Sequence, residues 1–178
     1  MSTDVALKQL LARRILARRR LLQFTLMTYP TYSAGWVHED ICRRLEKFSM
    51  DVAMGKSPRL MLLMPPRHGK SELASVRFPA WHLGHYPDHE IINVGYNLDL
   101  PMVFSRKVRE LVRDPVYATI FPDTNLDPES QSVEKWITKA GGVAQADKFV
   151  DIKLVVGKEH KVLKPLRRCA GVMAQTLQ

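Results

Sequence analysis

Hydrophobic residues recur at helical spacing in three stretches of the chain, which we predict to be amphipathic helices. These stretches cover residues 5–22, 36–54 and 99–113, and a further helix is predicted over residues 70–83. The apolar stripe of the first helix is expected to dock on the rest of the domain.

Short apolar runs predict the strands. Residues 60–64 form a continuous apolar run between turn signals, which is typical of a strand buried on both faces of a parallel sheet. A second strand is predicted over residues 90–96, and two more over residues 133–138 and 149–156. This order of strands and helices indicates the α/β class, with a sheet flanked by helices and joined by right-handed crossovers.

The composition is that of one soluble globular domain: 178 residues, of which 46% are hydrophobic and 25% charged. Wholesale disorder and low-complexity architectures are therefore excluded. No apolar run reaches the ~18–20 residues of a membrane span, and arginines as far as Arg20 interrupt any secretory signal. Cys42 and Cys169 form no CxxC pair, which favours a reducing compartment over a disulfide framework or a zinc site.

The net charge of +9 is concentrated at the two ends of the chain. Residues 1–22 contain six basic residues and one acid, and residues 143–178 contain seven basic and three acidic residues. The 120 residues between them carry 14 basic and 14 acidic residues and are neutral. Basic ends of this kind can contact nucleic-acid phosphates, and the alternative is a solvated helix face with a loose tail.

Residues 64–71, MPPRHGKS, resemble the Walker A loop GxxxxGK[ST], with a methionine in place of the first glycine. In such a loop Gly69 lets the backbone approach phosphate, while Lys70 reaches the β- and γ-phosphates and the Ser71 hydroxyl binds Mg²⁺. A strand before the loop and a helix after it are the setting that the motif needs; the alternative is a proline-rich turn with a chance Gly-Lys-Ser. The predicted ATP-binding residues are Pro66, Arg67, His68, Gly69, Lys70, Ser71 and Glu72.

The wider neighbourhood of this loop is similar to one family. Residues 59–75, RLMLLMPPRHGKSELAS, look like the start of the ATPase domain of phage terminase large subunits, the DNA-packaging motors. Five further segments resemble stretches before and after this one in the sequences of that family, so that the similarity covers residues 20–142. They are residues 35–42, 78–88, 104–109, 117–124 and 136–142.

The resemblance implies a P-loop NTPase-like parallel sheet flanked by helices, incomplete in this chain, and roles for several residues and partners. Arg67 would be the internal arginine of the motor and would act with Lys70 in catalysis, while Ser71 would bind Mg²⁺ beside ATP. Residues 32–38 would lie near the adenine. The implied partners are double-stranded DNA, a terminase small subunit and a portal, in the cytoplasm of a bacterial host, with a homo-oligomeric ring possible only for the full-length protein.

Two parts of a complete motor are not recognisable in the sequence. We find neither a Walker B strand, four apolar residues followed by an acid, nor a nuclease domain. After Gly142 the resemblance ends abruptly, which favours a shifted reading frame or truncated gene over a diverged relative with its own ending. In the latter case Asp151 and Glu159 could form an unorthodox metal site.

The expected organisation is a basic helix (1–28), a partial P-loop ATPase domain (29–142) and a basic tail (143–178) that never adapted to pack on the fold. Such a chain is expected to bind ATP–Mg²⁺ weakly and to hydrolyse little by itself. The alternatives are another small P-loop NTPase, of kinase or helicase type, and a DNA-binding remnant without enzymatic activity.

Other residues suggest chemistry less strongly. His82, His85 and His89 have the composition of a metal site, but Gly84 and Pro87 interrupt the helical spacing, and a surface loop is expected instead. His68 is expected either to touch phosphate or to face water, and Glu72 to face solvent or to stabilise the first helical turn. The three tryptophans are expected to be packing residues: Trp36, Trp81 and Trp136.

Overall fold

A computed structural model of the chain describes residues 3–148 and 171–176. Over these ranges the fold is mixed α/β, with a four-stranded mixed sheet flanked by helices. The helices are α1 (Thr3–Arg19), α2 (Leu21–Thr28), α3 (Trp36–Ala53), a π-helical segment (Glu72–Arg77), α4 (Phe78–His85), α5 (Asp99–Arg113) and α6 (Pro115–Ile120). The strands are β1 (Arg59–Met64), β2 (Ile91–Gly95), β3 (Leu126–Gln131), β4 (Lys135–Thr138), β5 (Val143–Lys148) and β6 (Gly171–Thr176).

The strands form two separate sheets. In the larger sheet the order is β2-β5-β4-β3, with β5 parallel to β2 and antiparallel to β4, and β3 antiparallel to β4. In the smaller sheet β1 pairs in parallel with β6. The expectation of one parallel sheet is therefore wrong for the described residues. The short connection between β4 and β5 explains part of the difference, because a few residues can join only antiparallel neighbours.

Strand β1 is buried on one face only, which corrects the prediction that both faces are covered. Leu62 and Met64 lie in the core, whereas 58% of Met61 and 55% of Leu63 are exposed. Successive side chains of a strand point to opposite faces, so an apolar run does not reveal whether one face or both are packed. Here helix α3 lies against β1 in the described structure.

The hydrophobic core joins helices α2 to α6 to the larger sheet. Its polar groups are paired inside: the Tyr117 hydroxyl donates to the Ala80 carbonyl at 2.9 Å, and the Trp136 indole donates to Ser105 Oγ at 3.1 Å. The largest fully buried side chains include Trp136, Tyr117, Phe24, Phe121 and Leu45. Trp81 is also buried, whereas 81% of Trp36 is exposed, so the prediction of a packing role is wrong for Trp36.

The helix predicted over residues 5–22 is interrupted at Arg20, where α1 ends and α2 follows, and the apolar stripe of α1 does not dock on the domain. Between 46% and 55% of Leu7, Leu11 and Ile15 is exposed, and Ala17 is the buried residue of this helix. The chain becomes extended at Arg20, where Glu46 accepts hydrogen bonds from the Arg20 side chain at 3.1 Å and from the next backbone N–H at 2.7 Å. This anchor places α2, rather than α1, against the core.

The other helix predictions agree closely with the structure. Helical structure begins at Lys70, and α5 has the predicted bounds. Helix α6 has no counterpart among the predicted helices. The Asp114 side chain in fact accepts a hydrogen bond from the Val116 N–H at 2.7 Å and so caps α6.

Two strands of the larger sheet were also not predicted. Strand β3 is polar and contains Pro128, which hides it from a hydrophobic pattern. Strand β5 belongs to the segment assigned to the basic tail, and it lies between β2 and β4. Gly141 follows the predicted strand at 133–138, and a glycine in this position is typical of a β-hairpin turn. Its φ of 90° is one that glycine adopts readily. Strand β6 was likewise not predicted, and the strand predicted at 149–156 lies outside the described residues.

None of the helices in the described ranges is both long and apolar enough to cross a bilayer.

Candidate functional site

The predicted phosphate loop connects β1 to the helix that begins at Lys70. Two of its residues have left-handed backbone conformations, Arg67 with φ of 61° and Gly69 with φ of 77°. Only glycine adopts this region without a steric cost, so Arg67 is held there by its surroundings. The tight turn that results brings the loop back over the end of β1.

Lys70 lies on the inner side of this turn. It is 5% exposed, and its Nζ donates to the Met64 carbonyl at 3.4 Å, so the ammonium group reaches back to the last residue of β1. Loss of hydration on burial lowers the pKa of Lys70. A cation in this position attracts an anion that can replace its lost water.

Three carbonyl groups of the loop accept hydrogen bonds from aromatic and imidazole side chains. His68 Nδ1 donates to the Pro66 carbonyl at 2.6 Å, and His38 Nε2 donates to the His68 carbonyl at 2.9 Å. The Tyr32 hydroxyl lies 3.5 Å from the Gly69 carbonyl, and burial raises the pKa of this tyrosine. The carbonyl oxygens of His68 and Gly69 are thus directed towards His38 and Tyr32, whereas the Pro66 carbonyl bonds a side chain of the loop itself.

Tyr32 and His38 are the first and last residues of the segment, residues 32–38, that the family resemblance places near the adenine. They pack edge to face, with ring centroids 5.5 Å apart, and a Cβ atom on Gly69 would come within 2.6 Å of the Tyr32 hydroxyl. The sequence alone gave no distance between residues 32–38 and the loop. The structure brings them into direct contact.

Electrostatic pairing near the loop neutralises its only acid. Glu72 forms an ion pair with Arg77 at 2.7 Å and lies 3.9 Å from Lys107. Of the two expectations for Glu72, exposure to solvent is therefore wrong, whereas its position in the first turn of the helical segment agrees with the other. Arg77 also donates to Thr28 Oγ1 at 2.9 Å and lies over the Tyr29 ring, which ties the segment before Tyr32 to the π-helical segment. Because Glu72 is paired with Arg77, it does not offset the positive charges of the loop.

The remaining predicted site residues lie on the outer side of the turn. Pro66, Arg67, His68 and Ser71 are exposed, and the Arg67 guanidinium contacts no acid of the described residues. Ser71 stands in the first turn of the helix, next to Lys70, where its hydroxyl can reach an anion-bound cation. Among the described residues no group of three or more His, Cys, Asp or Glu side chains is arranged to hold a metal, and Asp151 and Glu159 lie outside them.

His82 and His89 form a buried hydrogen-bonded pair, which corrects the prediction that His82, His85 and His89 lie in a surface loop. His82 Nδ1 lies 2.8 Å from Ser49 Oγ, and His82 Nε2 lies 3.1 Å from His89 Nδ1. His82 and His89 are each 5% exposed. His85 bonds the Arg18 carbonyl at 2.7 Å. These contacts join α1, α3 and α4 to the start of β2 and so support the frame that carries the loop.

The buried pair predicts that the free energy of unfolding falls in mild acid. Burial, with His89 and His85 nearby, lowers the pKa of His82 to about 3 from the ordinary 6.5, so below pH 6.5 the unfolded chain binds a proton that the folded chain refuses. The stability is complete above pH 6.5 and decreases as pH falls, by up to ~1.4 kcal/mol per pH unit for this one group. Urea unfolding between pH 7 and 4.5, above the range of most carboxyl groups, measures the slope.

His82→Gln is the matched variant for this measurement. It is less stable at pH 7 but has a shallower pH dependence, and the residual slope comes largely from His85, whose pKa burial also lowers. Equal slopes for the two proteins between pH 6.5 and 4.5 would show that His82 is not held neutral.

Comparisons of the chain with protein-family models, with curated proteins and with solved structures find no match.

Proposed function

We propose that this chain is the ATPase portion of a terminase-like DNA-packaging motor and that it binds ATP–Mg²⁺ through residues 66–72. The observation that carries the proposal is the backbone of the loop between β1 and the helix at Lys70. Arg67 and Gly69 are both left-handed, and Lys70 is folded back to the Met64 carbonyl. A proline-rich turn without a ligand gives no reason to bury a lysine at its centre.

Each residue of the loop has a definite task in this proposal. Backbone N–H groups and the start of the helix face the phosphates, and Lys70 balances their charge. Ser71 holds the Mg²⁺ ion, which neutralises phosphate charge when bound. The exposed guanidinium of Arg67 lies at the outer edge of the turn, where it can bind the terminal phosphate and stabilise charge on it.

Hydrolysis needs an acid that orients water, and the loop does not provide one. Glu72 is engaged by Arg77, and the sequence contains no recognisable Walker B strand. We therefore propose an ATP-binding unit that hydrolyses ATP slowly unless further parts of the motor are supplied. Its location in the cytoplasm of a bacterial host belongs to the same proposal.

Lys70→Ala is expected to weaken ATP–Mg²⁺ binding at least tenfold, because it removes the buried cation that faces the phosphates. Titration calorimetry or a fluorescent ATP analogue measures the dissociation constant. Lys139→Ala removes an exposed lysine from the turn between β4 and β5 and serves as the control, with unchanged affinity. Equal affinity of the Lys70 variant and the wild type would contradict the proposal. Rapid ATP hydrolysis that depends on Lys70 would contradict only the expected slow turnover, and the proposed ATP binding would stand.

Helix α1 favours a second candidate, a DNA-binding unit without a nucleotide role. Its arginines Arg13, Arg18 and Arg19 are exposed, and duplex DNA is also the partner of the proposed motor. Salt-sensitive DNA binding that neither ATP nor Lys70→Ala alters would favour this candidate. A phosphoacceptor-dependent activity would instead favour a small kinase of the P-loop class.

A further inference from the structure

We infer that His38 is a positioning residue, which holds the peptide groups of the phosphate loop in the orientation that binds phosphate. This inference rests on the proposed ATP binding and names a residue outside the Walker A segment. It does not assign His38 any contact with the nucleotide.

The hydrogen bonds of His38 identify its tautomer. Nδ1 accepts from the Gly35 backbone N–H at 2.9 Å, so this nitrogen carries no proton. Nε2 therefore carries the proton and donates to the His68 carbonyl at 2.9 Å. The neutral imidazole joins the start of α3 to a loop 30 residues further along the chain.

Because the peptide bond is planar, this contact also fixes the direction of the next N–H group in the phosphate loop. In a trans peptide the C=O and the following N–H point in opposite directions, and no peptide bond in the described chain is cis. His38 holds the His68 carbonyl on the protein side, so the N–H of Gly69 points to the other side. A second contact lies within the loop itself, where His68 Nδ1 donates to the Pro66 carbonyl at 2.6 Å.

The loop needs such support because its backbone is strained. Arg67, a non-glycine residue with φ of 61°, carries a steric cost that a flip of the peptide between residues 66 and 67 would relieve. A flip at residues 68–69 would present a carbonyl oxygen to the phosphate instead of an N–H. The edge-to-face contact with Tyr32 fixes the imidazole ring that prevents the flip.

Two isosteric variants separate the two hydrogen bonds of His38. In His38→Gln the side-chain amide nitrogen reaches the Nε2 position and keeps the donor to His68. In His38→Asn the side-chain oxygen reaches the Nδ1 position and keeps the acceptor for Gly35. A residue that merely caps α3 requires the second bond, whereas a residue that orients the loop requires the first.

We expect His38→Asn to weaken ATP–Mg²⁺ binding about tenfold or more, and His38→Gln to stay within about threefold of the wild type. Thermal unfolding midpoints are measured on the same samples. Unchanged affinity in His38→Asn would overturn the inference. Equal losses of ATP–Mg²⁺ affinity in the two variants would also overturn it. So would losses of affinity that run parallel to the decrease in the thermal unfolding midpoint.

Amide NMR of the nucleotide-free chain keeps this test separate from the proposed function. His38→Asn is expected to shift or broaden the amide signals of Arg67 and Gly69, while His38→Gln leaves them in place. If the wild type binds no ATP–Mg²⁺, the proposed function fails, and these signals still judge the positioning role. Unchanged Gly69 signals in His38→Asn would overturn it.

Discussion

Gly69→Ala is expected to weaken ATP–Mg²⁺ binding by roughly 30-fold or more, which corresponds to about 2 kcal/mol. A Cβ atom at this position would lie 2.6 Å from the Tyr32 hydroxyl and 3.2 Å from the ring, and the residue would also have to keep a φ of 77°. Either Tyr32 or the loop must move, and both support the phosphate-binding backbone. The dissociation constant for ATP–Mg²⁺ and the thermal midpoint measure the effect.

Gly55 provides a matched control for this substitution. Its φ of 76° equals that of Gly69 within a degree, but no atom lies within 4 Å of the Cβ that alanine would add. Gly55→Ala therefore carries the same backbone cost, roughly 1–2 kcal/mol of stability, without the collision. We expect it to bind ATP–Mg²⁺ like the wild type. Equal binding by the two variants would show that the contact between Tyr32 and Gly69 does not shape the site.

Trp136→Ala is expected to lower the free energy of unfolding by about 3–5 kcal/mol, a large part of the roughly 5–15 kcal/mol that stabilises a typical domain. Trp136 is fully buried in β4, and its indole N–H donates to Ser105 Oγ on helix α5 at 3.1 Å. Truncation therefore leaves a large cavity and removes one of the two hydrogen bonds of the Ser105 hydroxyl, which still donates to the Val133 carbonyl. Urea unfolding monitored by circular dichroism measures the loss.

Trp36→Ala is the control, since the same residue type stands 81% exposed at the start of α3. Its expected change in unfolding free energy is within about 0.5 kcal/mol. A loss of less than about 1 kcal/mol in Trp136→Ala would contradict the packing of α5 on the larger sheet. The comparison separates burial from residue type, which the sequence treats alike for these two tryptophans.

Local patterns were sufficient to predict most helices and three of the strands. Helix α5 has the predicted bounds, and helical structure begins at Lys70, because the spacing of apolar residues and the turn residues beside them act within a few positions of the chain. Strand β1 is one residue longer than its predicted segment, and β2 and β4 lie within theirs. Strands β3 and β5 were missed, since their stability comes from their neighbours in the sheet rather than from their own composition.

The candidate site was predictable only in its contiguous part. Residues 66–72 are adjacent in the chain, so the spacing of glycine, lysine and serine was enough to find them. The engagement of Glu72 by Arg77, and the contacts of Tyr32 and His38 with the loop, connect residues that are 5 to 37 positions apart. Contacts across the longer of these separations leave no periodic signal in a single sequence.

The sequence alone is sufficient to locate the helical segments, the turn before Lys70 and the positive charge at the two ends. Each of these is a property of a short stretch of chain. The fold assigned what depends on distant partners: the exposure of the α1 stripe, the placement of β1 and β2 in different sheets, and the burial of His82 beside His89. The conformation of Arg67 belongs to the same class, since its left-handed backbone is stable only where surrounding residues hold the loop. Packing energy is a sum over contacts between elements, and the pairing of those elements is a property of the folded molecule.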